Sequence, residues 1–348
     1  MEFDPGINYE CIQCGKSCKR DWNVWVRDDL PERLGKGLHR LRVLQGQDDL
    51  LVQDGQAFRM ERDESGCCCL EDNLCVIHRE LGYRRKPYSC KQYPVLLLQT
   101  PDGLRVSASY TCTAVLQKAG PKLEAHQEEV QRWLGRGADI DTLSFEPSEW
   151  RQAREFEVAF EQLQAELGWD QASRHAFFAL SAPSAAEPAL SLRAHKDSGL
   201  DFGPALPLML GALIKPCFPS RDQQGWQEFD QQLISGLAVE IPQFSYRGPA
   251  LELIQWSQTP LDEASESELE RYRASLWFRK QHLRSGGLAA GMLMLWSVGS
   301  LYRVLARLIE PNSALESIEL NLLGHTRAGE QVFPILANFC SGQLLERT

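Results

Sequence analysis

The spacing of apolar residues predicts short strands and turns near the N-terminus and long helices after residue 120. Residues 22–26 are aromatic and β-branched, which favours a strand, and apolar residues recur at helical spacing over residues 28–44. Two apolar segments, residues 95–100 and 104–110, flank Pro-Asp-Gly, whose last two residues tolerate the positive φ of a tight turn. We therefore expect a β-hairpin that brings Cys112 back toward the neighbourhood of Cys90.

The rest of the chain has the pattern of a helical protein. Residues 149–167 place their large apolar side chains on one face, and Thr259-Pro260 predicts the capped start of a helix that runs to Arg284. Further helices are predicted at about 121–135, 200–214, 222–238, 288–310 and 328–340. The predicted fold is mainly α: a small, metal-nucleated α+β cysteine-cluster domain, residues 1–118, and a larger all-helical domain, residues 119–348, with a candidate internal linker at 181–188.

One segment is apolar enough to be considered as a membrane-spanning helix. Residues 285–302 carry no charge over eighteen positions, which is the lower limit for a spanning helix, but the segment contains several glycines and serines between Arg284 and Arg303. We therefore predict a buried core helix and no membrane span. The N-terminus has no basic region followed by an apolar stretch, so the expected location is the cytoplasm.

The net charge of the chain limits the classes of partner that it is expected to bind. The formal net charge is −10, and −9 of it lies after residue 112. Binding to nucleic acid without sequence preference requires a basic surface, so we expect no nucleic-acid partner. An acidic body leaves room for a basic or lysine-bearing protein substrate.

The distribution of cysteine is the strongest chemical signal in the sequence. Nine of the eleven cysteines lie in the first 112 residues, in segments 11–18, 67–75 and 86–94 and at Cys112. Thiolates are soft ligands for zinc, iron–sulfur clusters or copper(I), and clustered cysteines in a reducing compartment bind metal more often than they form disulfides. The candidate metal ligands are Cys11, Cys14, Cys18, Cys67, Cys75, Cys90 and Cys112.

The spacing of these cysteines leaves the kind of metal open. Four thiolates complete either a tetrahedral zinc site or a [4Fe–4S] cluster, whereas seven exceed the need of one zinc, which implies two sites or thiols that do not touch the metal. Because adjacent side chains point in different directions, we expect that Cys67, Cys68 and Cys69 do not all face one site. His78, three residues after Cys75, is either a nitrogen ligand or a hydrogen-bonding histidine.

These segments resemble the CxxCxxCC-type cysteine-cluster proteins, a family described as zinc- or iron-chelating. The resemblance covers about residues 9–112, and the matching segments are Cys11 to Cys18, Cys67-x-x-Leu70, Cys75-Val-Ile-His78 and Lys86-Pro87 with Cys90 and Tyr93-Pro94. The architecture is similar to that of the flagellin lysine N-methylases, which also have an aromatic strand after the knuckle, a hairpin ending in a cysteine and a long helical C-terminal part. The resemblance implies an S-adenosylmethionine-dependent lysine N-methyltransferase, and it favours an iron–sulfur cluster over zinc.

The chain departs from the family pattern in three places. Ser17-Cys18 stands where the family has a double cysteine, His78 stands where it has a tyrosine, and Cys112-Thr113-Ala114 replaces the Cys-Pro-Glu of the methylases. The missing glutamate bears more on methyl transfer than on metal binding.

Two functions of different classes follow from the sequence. One is the lysine N-methyltransferase, in which the cluster helps to orient S-adenosylmethionine; the other is a non-catalytic, zinc-stabilised or redox-sensing interaction protein. A buried acid or tyrosine near the cluster that accepts a proton from a lysine ammonium would favour the enzyme. Glu71, Asp72 and Tyr93 are the candidates for that group.

Overall fold

The protein is mainly α-helical with several small sheets, which confirms the predicted fold class. The computed structural model describes residues 1–20, 22, 24–26, 50–54, 57–181, 187–194, 202, 205–214, 227–229, 231–232, 235, 238–241, 246–323 and 328–345. The helix predicted at 28–44 and most of the candidate linker at 181–188 lie outside the described residues. Of the helix predicted at 222–238, the described residues 227–229, 231–232 and 235 are helical, and residue 238 begins a strand. By its internal contacts the chain divides into unit 1, Met1–Leu143, and unit 2, Ser144–Thr348.

Unit 1 is built from short elements. Its strands are β1 Glu2–Phe3, β2 Trp25–Val26, β3 Leu51–Asp54, β4 Ala57–Met60, β5 Arg62–Asp63, β6 Gly66–Cys67, β7 Leu70–Glu71, β8 Leu74–Cys75, β9 Val95–Thr100, β10 Gly103–Ala108 and β11 Asp141–Thr142. Its helices are α1 Lys16–Lys19, α2 Val76–Leu81, α3 Tyr88–Gln92, α4 Thr113–Leu116 and α5 Gln127–Leu134, with 3₁₀ turns at Tyr83–Arg85 and Leu123–His126.

The predicted hairpin is the centre of the largest sheet. Strands β9 and β10 pair antiparallel from Val95 opposite Ala108 to Thr100 opposite Gly103, and the four-stranded order is β1-β10-β9-β11. Gly103 takes a φ of +133°, which a side chain rarely tolerates, so the turn uses glycine as the sequence predicts. Cys112 follows the second strand of the hairpin and lies at the N-cap position of α4.

A second apolar cluster lies under the three-stranded sheet β2-β4-β3. Val26, Met60 and Val76 are buried there, together with Cys68 and Cys69. The strand predicted at 22–26 is present as β2, which pairs antiparallel with β4. Cys68 and Cys69, which are not among the seven candidate ligands, thus belong to the core of unit 1 and not to its surface.

The boundary between the units lies at residue 143, whereas the sequence places it at 118. The intervening segment packs onto the first sheet and its neighbours. The Leu123 N–H donates to the Ile7 carbonyl at 3.1 Å, and the Gln92 side-chain amide donates to the Asp139 carbonyl at 2.7 Å. The helical residues between 120 and 143 therefore belong to the unit that carries the cysteine clusters and not to the helical unit.

Unit 2 consists almost entirely of helices over its described residues. They are α6 Pro147–Ser181, α7 Pro188–Ala194, α8 Ala205–Ile214, α9 Ala250–Gln258, α10 Glu263–Phe278, α11 Gln281–Arg284, α12 Leu288–Leu308, α13 Pro311–Ile318 and α14 Ala328–Leu345, with a π-turn at Glu319–Leu323. A two-stranded ribbon joins β12 Ala238–Ile241 to β13 Tyr246–Pro249. The amphipathic helix predicted at 149–167 is present within α6, which bends at Gly168, where φ is +75°.

Helix α12 confirms the prediction that the uncharged segment is a core helix. Its length and apolar composition would suffice to cross a membrane, but 89% of its apolar window is buried inside the protein. Residues from Ala290 to Leu305 are buried on every side of the helix. Among the described residues this is the one helix that meets the length and hydropathy of a span, and it forms the core of unit 2.

The predicted start of the helix at Thr259-Pro260 is wrong by a few residues. Asp262 caps α10 by accepting the Ser265 N–H at 3.0 Å, while the Thr259 hydroxyl donates back to Gln255 and closes α9. A carboxylate cap is favoured over the threonine because it also carries negative charge at the helix N-terminus. The predicted continuous helix to Arg284 is interrupted by Lys280, which adopts a φ of +55°.

A cluster of charged side chains is buried in unit 2. The carboxylate of Glu157 accepts from the Lys280 ammonium at 2.6 Å and contacts Nε2 of His282 at 3.0 Å, and Arg154 also pairs with it. The side chains of Glu157 and His282 are fully buried, and that of Lys280 is 2% exposed. The Trp277 indole stacks on the His282 ring at a centroid distance of 3.9 Å. Such charges remain stable in an apolar interior only while each one keeps its partner.

We expect Glu157→Gln to destabilise the protein by about 3–5 kcal/mol, because it removes the buried carboxylate that accepts from the Lys280 ammonium and pairs with its charge. Denaturant titration of the full chain measures this change. Glu155→Gln on the exposed side of the same helix is the matched control and should change stability by less than about 0.5 kcal/mol. Equal effects of the two substitutions would contradict the buried pairing.

The Glu157 carboxylate should also make the free energy of unfolding depend on pH. Burial acts to raise the pKa of Glu157, but the hydrogen bond with His282 and the charges of His282 and Lys280 outweigh it and lower that pKa from 4.5 to about 2. A group whose pKa is lowered by folding stabilises the fold above its unfolded pKa, and that contribution disappears as the pH falls from about 4.5 to about 2. Stability measured between pH 6 and pH 2 should therefore fall more steeply for the parent protein than for Glu157→Gln.

Candidate metal centre

The first cysteine segment turns sharply between Cys14 and Cys18. Gly15, at a φ of +65°, precedes α1, and its carbonyl accepts the Cys18 N–H at 3.0 Å. A Cβ atom at Gly15 would lie 2.8 Å from the Cα of Asn73, in the turn between β7 and β8. The knuckle is thus packed against the second cysteine segment, and only glycine fits the contact.

Two tight hairpins present the second cysteine segment. Cys67 pairs with Arg62 across β5–β6, and Cys75 pairs with Leu70 across β7–β8. A Cβ atom at Gly66 would lie 2.5 Å from the Cys18 carbonyl oxygen. The two hairpins therefore hold Cys67 and Cys75 beside the knuckle that carries Cys18.

The third segment carries Cys90 on the short helix α3. The Pro87 carbonyl accepts the Lys91 N–H at 3.1 Å, and the Ser89 hydroxyl donates to the Trp25 carbonyl at 3.0 Å. These contacts fix α3 against β2 and orient Cys90 toward the other two segments. The Lys86-Pro87 pair matched by the sequence thus forms the N-terminal anchor of this helix.

Backbone packing brings the first two segments together, since Gly66 lies against Cys18 and Gly15 against Asn73. Burial and the charges of Cys67, Cys75 and Cys14 raise the pKa of Cys18 to about 11, and burial with the charges of Cys67, Cys75 and Cys18 raises the pKa of Cys90. We call Cys18, Cys67, Cys75 and Cys90 the quartet.

A lysine faces the quartet and opposes its negative charge. The Lys86 ammonium acts to lower the pKa of both Cys18 and Cys90. It also lies 5.8 Å from the centroid of the Tyr83 ring. Lys86 therefore contributes a positive charge that acts on two thiols of the quartet.

The expectation that Cys67, Cys68 and Cys69 do not face one site is wrong. Their sulfur atoms all lie within 4.8 Å of one another, with Cys68 and Cys69 at 3.8 Å. The alternation of side chains holds in an extended strand, but Cys68 and Cys69 occupy the turn that connects β6 to β7. We call these three residues the triplet, which shares Cys67 with the quartet.

The thiols of the triplet act on one another through hydrogen bonds. Hydrogen bonds with Cys68 and Cys69 lower the pKa of Cys67 to about 3, whereas they keep Cys69 protonated and the pKa of Cys68 rises to about 12. The arrangement favours one thiolate at Cys67 and two thiol donors around it. Cys68 and Cys69 are buried in the apolar cluster, whereas Cys67 is partly exposed at its edge.

The remaining two candidate thiols of the knuckle lie near Cys112 rather than in the quartet. Burial raises the pKa of Cys112, as do the charges of Cys14 and Cys11, while N–H groups of Val115 and Ala114 hydrogen-bond its sulfur and act in the opposite direction. Cys11 and Cys14 are exposed and Cys112 is buried. We call these three residues the trio. The seven candidates therefore separate into two groups.

His78 and the three candidate proton acceptors of the sequence analysis lie in different surroundings. His78 packs edge-on against Tyr83 at a ring distance of 5.6 Å, and burial with the Lys86 charge lowers its pKa. Glu71 pairs with Arg79 on the surface, and Asp72 is an exposed turn residue with a φ of +49°. Of the three candidate proton acceptors, Tyr93 is the one beside the trio, where it hydrogen-bonds Thr111 at 3.1 Å.

Two residues near the trio have no signal in the sequence. Burial and the charges of Cys11 and Cys112 raise the pKa of Tyr9, and the Tyr9 carbonyl hydrogen-bonds Nε2 of His126 at 2.9 Å. These residues are separated by more than a hundred positions, so no local spacing could reveal their proximity. The last two cysteines differ: Cys217 lies outside the described residues, and Cys340 donates to Met209 in the core of unit 2.

The comparisons with known proteins give one partial relative. Over 100 residues, 28% of this chain, the sequence is 31% identical to an uncharacterized protein of Methanocaldococcus jannaschii. The match spans 33% of that protein, so the chain covers about a third of the length of the curated relative it matches. No family model and no solved structure matches the chain.

We expect Gly66→Ala to destabilise unit 1 well beyond the cost of its backbone conformation, because the new Cβ meets the backbone of Cys18 and Lys19. Gly103→Ala is the matched control: its φ is similar, +133° against +123°, but nothing lies within 4 Å of the added atom. The control should lose about 1–3 kcal/mol from strain alone. Guanidinium unfolding of both variants measures the difference, and equal losses would contradict the packing of the knuckle on the hairpin.

Proposed function

We propose that unit 1 is a metal-binding module whose quartet holds a [4Fe–4S] cluster. The observation that carries the proposal is the convergence of Cys18, Cys67, Cys75 and Cys90 from three separate chain segments. Partly buried thiols that are crowded together are costly to ionise unless a cation compensates their charge. A thiolate-bound metal centre supplies that compensation and releases the thiol protons.

The spacing of the quartet supports a cluster over a single ion. A tetrahedral zinc with Zn–S bonds of about 2.3 Å brings its sulfurs to within about 4 Å of one another. Among the described residues, the triplet is the group of three thiols that meets a spacing of 4.8 Å, and the quartet is wider. A cubane of four irons and four sulfides spans a larger space than one ion, and four thiolates satisfy it.

The surroundings of the quartet support the same assignment. Hydrogen bonds to a ligand sulfur tune the reduction potential of an iron–sulfur cluster, and Cys68 and Cys69 provide such donors to Cys67. Lys86 adds positive charge on the side of Cys18 and Cys90. Under this proposal Cys68 and Cys69 tune the reduction potential of the cluster and are not ligands to it.

A single soft ion at the triplet is the second candidate. It is favoured by the sulfur separations within 4.8 Å, which suit one zinc or copper(I) ion with three thiolates. The burial of Cys68 and Cys69 in an apolar cluster opposes it, because ionising both there would be costly. Replacing Cys69 distinguishes the two assignments.

Lysine methylation receives less support from the described residues. The reaction requires a group that takes a proton from the lysine ammonium. The Glu71 carboxylate is paired with Arg79, and burial raises the pKa of Tyr93, which keeps its phenol protonated at neutral pH. We therefore propose metal binding as the function of unit 1, and a redox or structural role for the cluster in place of methyl transfer.

We expect anaerobically purified protein to be brown, with charge-transfer absorption at about 400 nm and iron in excess of zinc. Cys90→Ala should lose most of the iron and the absorption band, whereas Cys340→Ala, buried in unit 2, should keep both. Cys69→Ala should retain iron with a shifted reduction potential. Colourless protein whose only bound metal is lost in Cys69→Ala would overturn the cluster and favour the single ion.

Removal of the metal should also loosen unit 1. Binding free energy in small metal-nucleated modules is folding free energy, so apo protein should be cleaved in unit 1 while the helices of unit 2 stay protected. Limited proteolysis with mass spectrometry, before and after anaerobic removal of the iron, maps the cleavage sites. An unchanged fragment pattern in verified apo protein would contradict the structural role of the metal.

A further inference from the structure

The segment that carries the triplet is fixed by hydrogen bonds on both sides. The Cys68 N–H donates to the Glu61 carbonyl at 3.0 Å. The Val76 N–H, at the start of α2, donates to the Cys69 carbonyl at 2.8 Å. The backbone of the three cysteines is therefore held in place, and their sulfur atoms lie within 4.8 Å of one another.

The three thiols differ in their access to solvent. Cys67 is partly exposed, whereas Cys68 and Cys69 are buried, with 7% and 2% of their surface exposed. The Cys68 thiol also donates to the Leu50 carbonyl at 3.9 Å, on the side of the apolar cluster. A small reagent in solution therefore reaches Cys67 first, and the two buried thiols lie close behind it.

The geometry of the chain favours one of the three possible pairs. Consecutive Cα atoms are about 3.8 Å apart, which is shorter than the range of about 4.4–6.8 Å in ordinary disulfides. A disulfide between Cys67 and Cys68, or between Cys68 and Cys69, would therefore strain the backbone. Cys67 and Cys69 are separated by one residue and escape this limit, and their sulfurs are already within 4.8 Å.

We propose that Cys67 and Cys69 are a redox-active dithiol that forms a disulfide by exchange with a low-molecular-weight disulfide. The Cys67 thiolate attacks one sulfur of the reagent and breaks its S–S bond; one half leaves as a thiolate and takes up the Cys67 proton, while the other half stays on Cys67 as a mixed disulfide. The Cys69 sulfur then attacks the Cys67 sulfur, and the second half leaves with the Cys69 proton. Two protein thiols are oxidised, and one reagent disulfide is reduced to two thiols.

The exchange controls metal binding in unit 1, a consequence that rests on the proposed function. Both the cluster at the quartet and the single ion at the triplet use Cys67 as a ligand. A sulfur in a disulfide is not a thiolate, so the oxidised chain lacks this ligand until a reductant restores it. Bound metal, in turn, occupies Cys67 and slows the exchange.

The test treats the anaerobically purified full chain with an excess of bis(2-hydroxyethyl) disulfide. Iron is measured after desalting, and free thiols are alkylated before the disulfides are located by mass spectrometry. The parent chain should form a disulfide within residues 67–69 and should lose iron in proportion to it. Dithiothreitol should reverse the disulfide, and iron and sulfide added afterwards should restore the absorption at about 400 nm.

Cys69→Ser and Cys68→Ser are matched variants, since each replaces one buried thiol of the same turn. In Cys69→Ser the favoured partner is missing, so the hydroxyethylthio adduct should remain on Cys67. In Cys68→Ser the adduct should be resolved, and the internal disulfide should form as in the parent. Cys67→Ala, at a partly exposed position, should form neither product and replaces Cys69→Ser in the test if that variant does not fold.

The outcomes separate this proposal from the metal centre. A parent chain that forms no disulfide within residues 67–69 overturns the proposal. An adduct that is resolved in Cys69→Ser but persists in Cys68→Ser assigns the pair to Cys67 and Cys68 and also overturns it. Iron that stays bound after the disulfide has formed overturns the control of metal binding. Parent chain purified without metal contradicts the proposed function, whereas the mass spectra still decide whether Cys67 and Cys69 pair.

Discussion

The crowding of cysteine thiols is the constraint around which unit 1 is arranged. Seven thiols reach two neighbouring groups from four chain segments, and burial raises the pKa of Cys18, Cys90 and Cys112. The elements that carry them are strands of two residues and helices of four to six residues, too short to be stable by themselves. The metal centre that we propose would resolve both problems, because a bound cation neutralises thiolates and ties short elements together.

Unit 2 is stabilised by a different principle. Helix α12 is apolar and buried on all sides, so the neighbouring helices gain stability by covering it. The charges inside this unit come from distant parts of the chain: Glu157 meets Lys280, and Arg273 reaches Asp170. Because each of these charges would be costly without its partner, they select one packing of the helices against α12 from the many that an apolar surface alone would allow.

The sequence predicted what depends on local chemistry. The Asp-Gly turn fixes the β9–β10 hairpin, and the apolar face of residues 149–167 fixes the first part of α6. The prediction from sequence failed at Thr259 and Asp262, where two possible helix caps compete. It also failed at Cys67 to Cys69, because side chains alternate in direction along a strand but not in a turn. Contacts such as Tyr9 beside Cys112 or Glu157 beside Lys280 join residues more than a hundred positions apart, and no spacing records them.

The division of the thiols into two groups follows from one backbone position. Gly15, at a φ of +65°, reverses the chain between Cys14 and Cys18, so that residues before it face the end of the hairpin and residues after it face the quartet. Cys11 and Cys14 of the Cys-x-x-Cys pair both precede this turn, and Cys18 follows it. Cys14 raises the pKa of Cys18 and of Cys112 alike, so it lies within the electrostatic field of both groups.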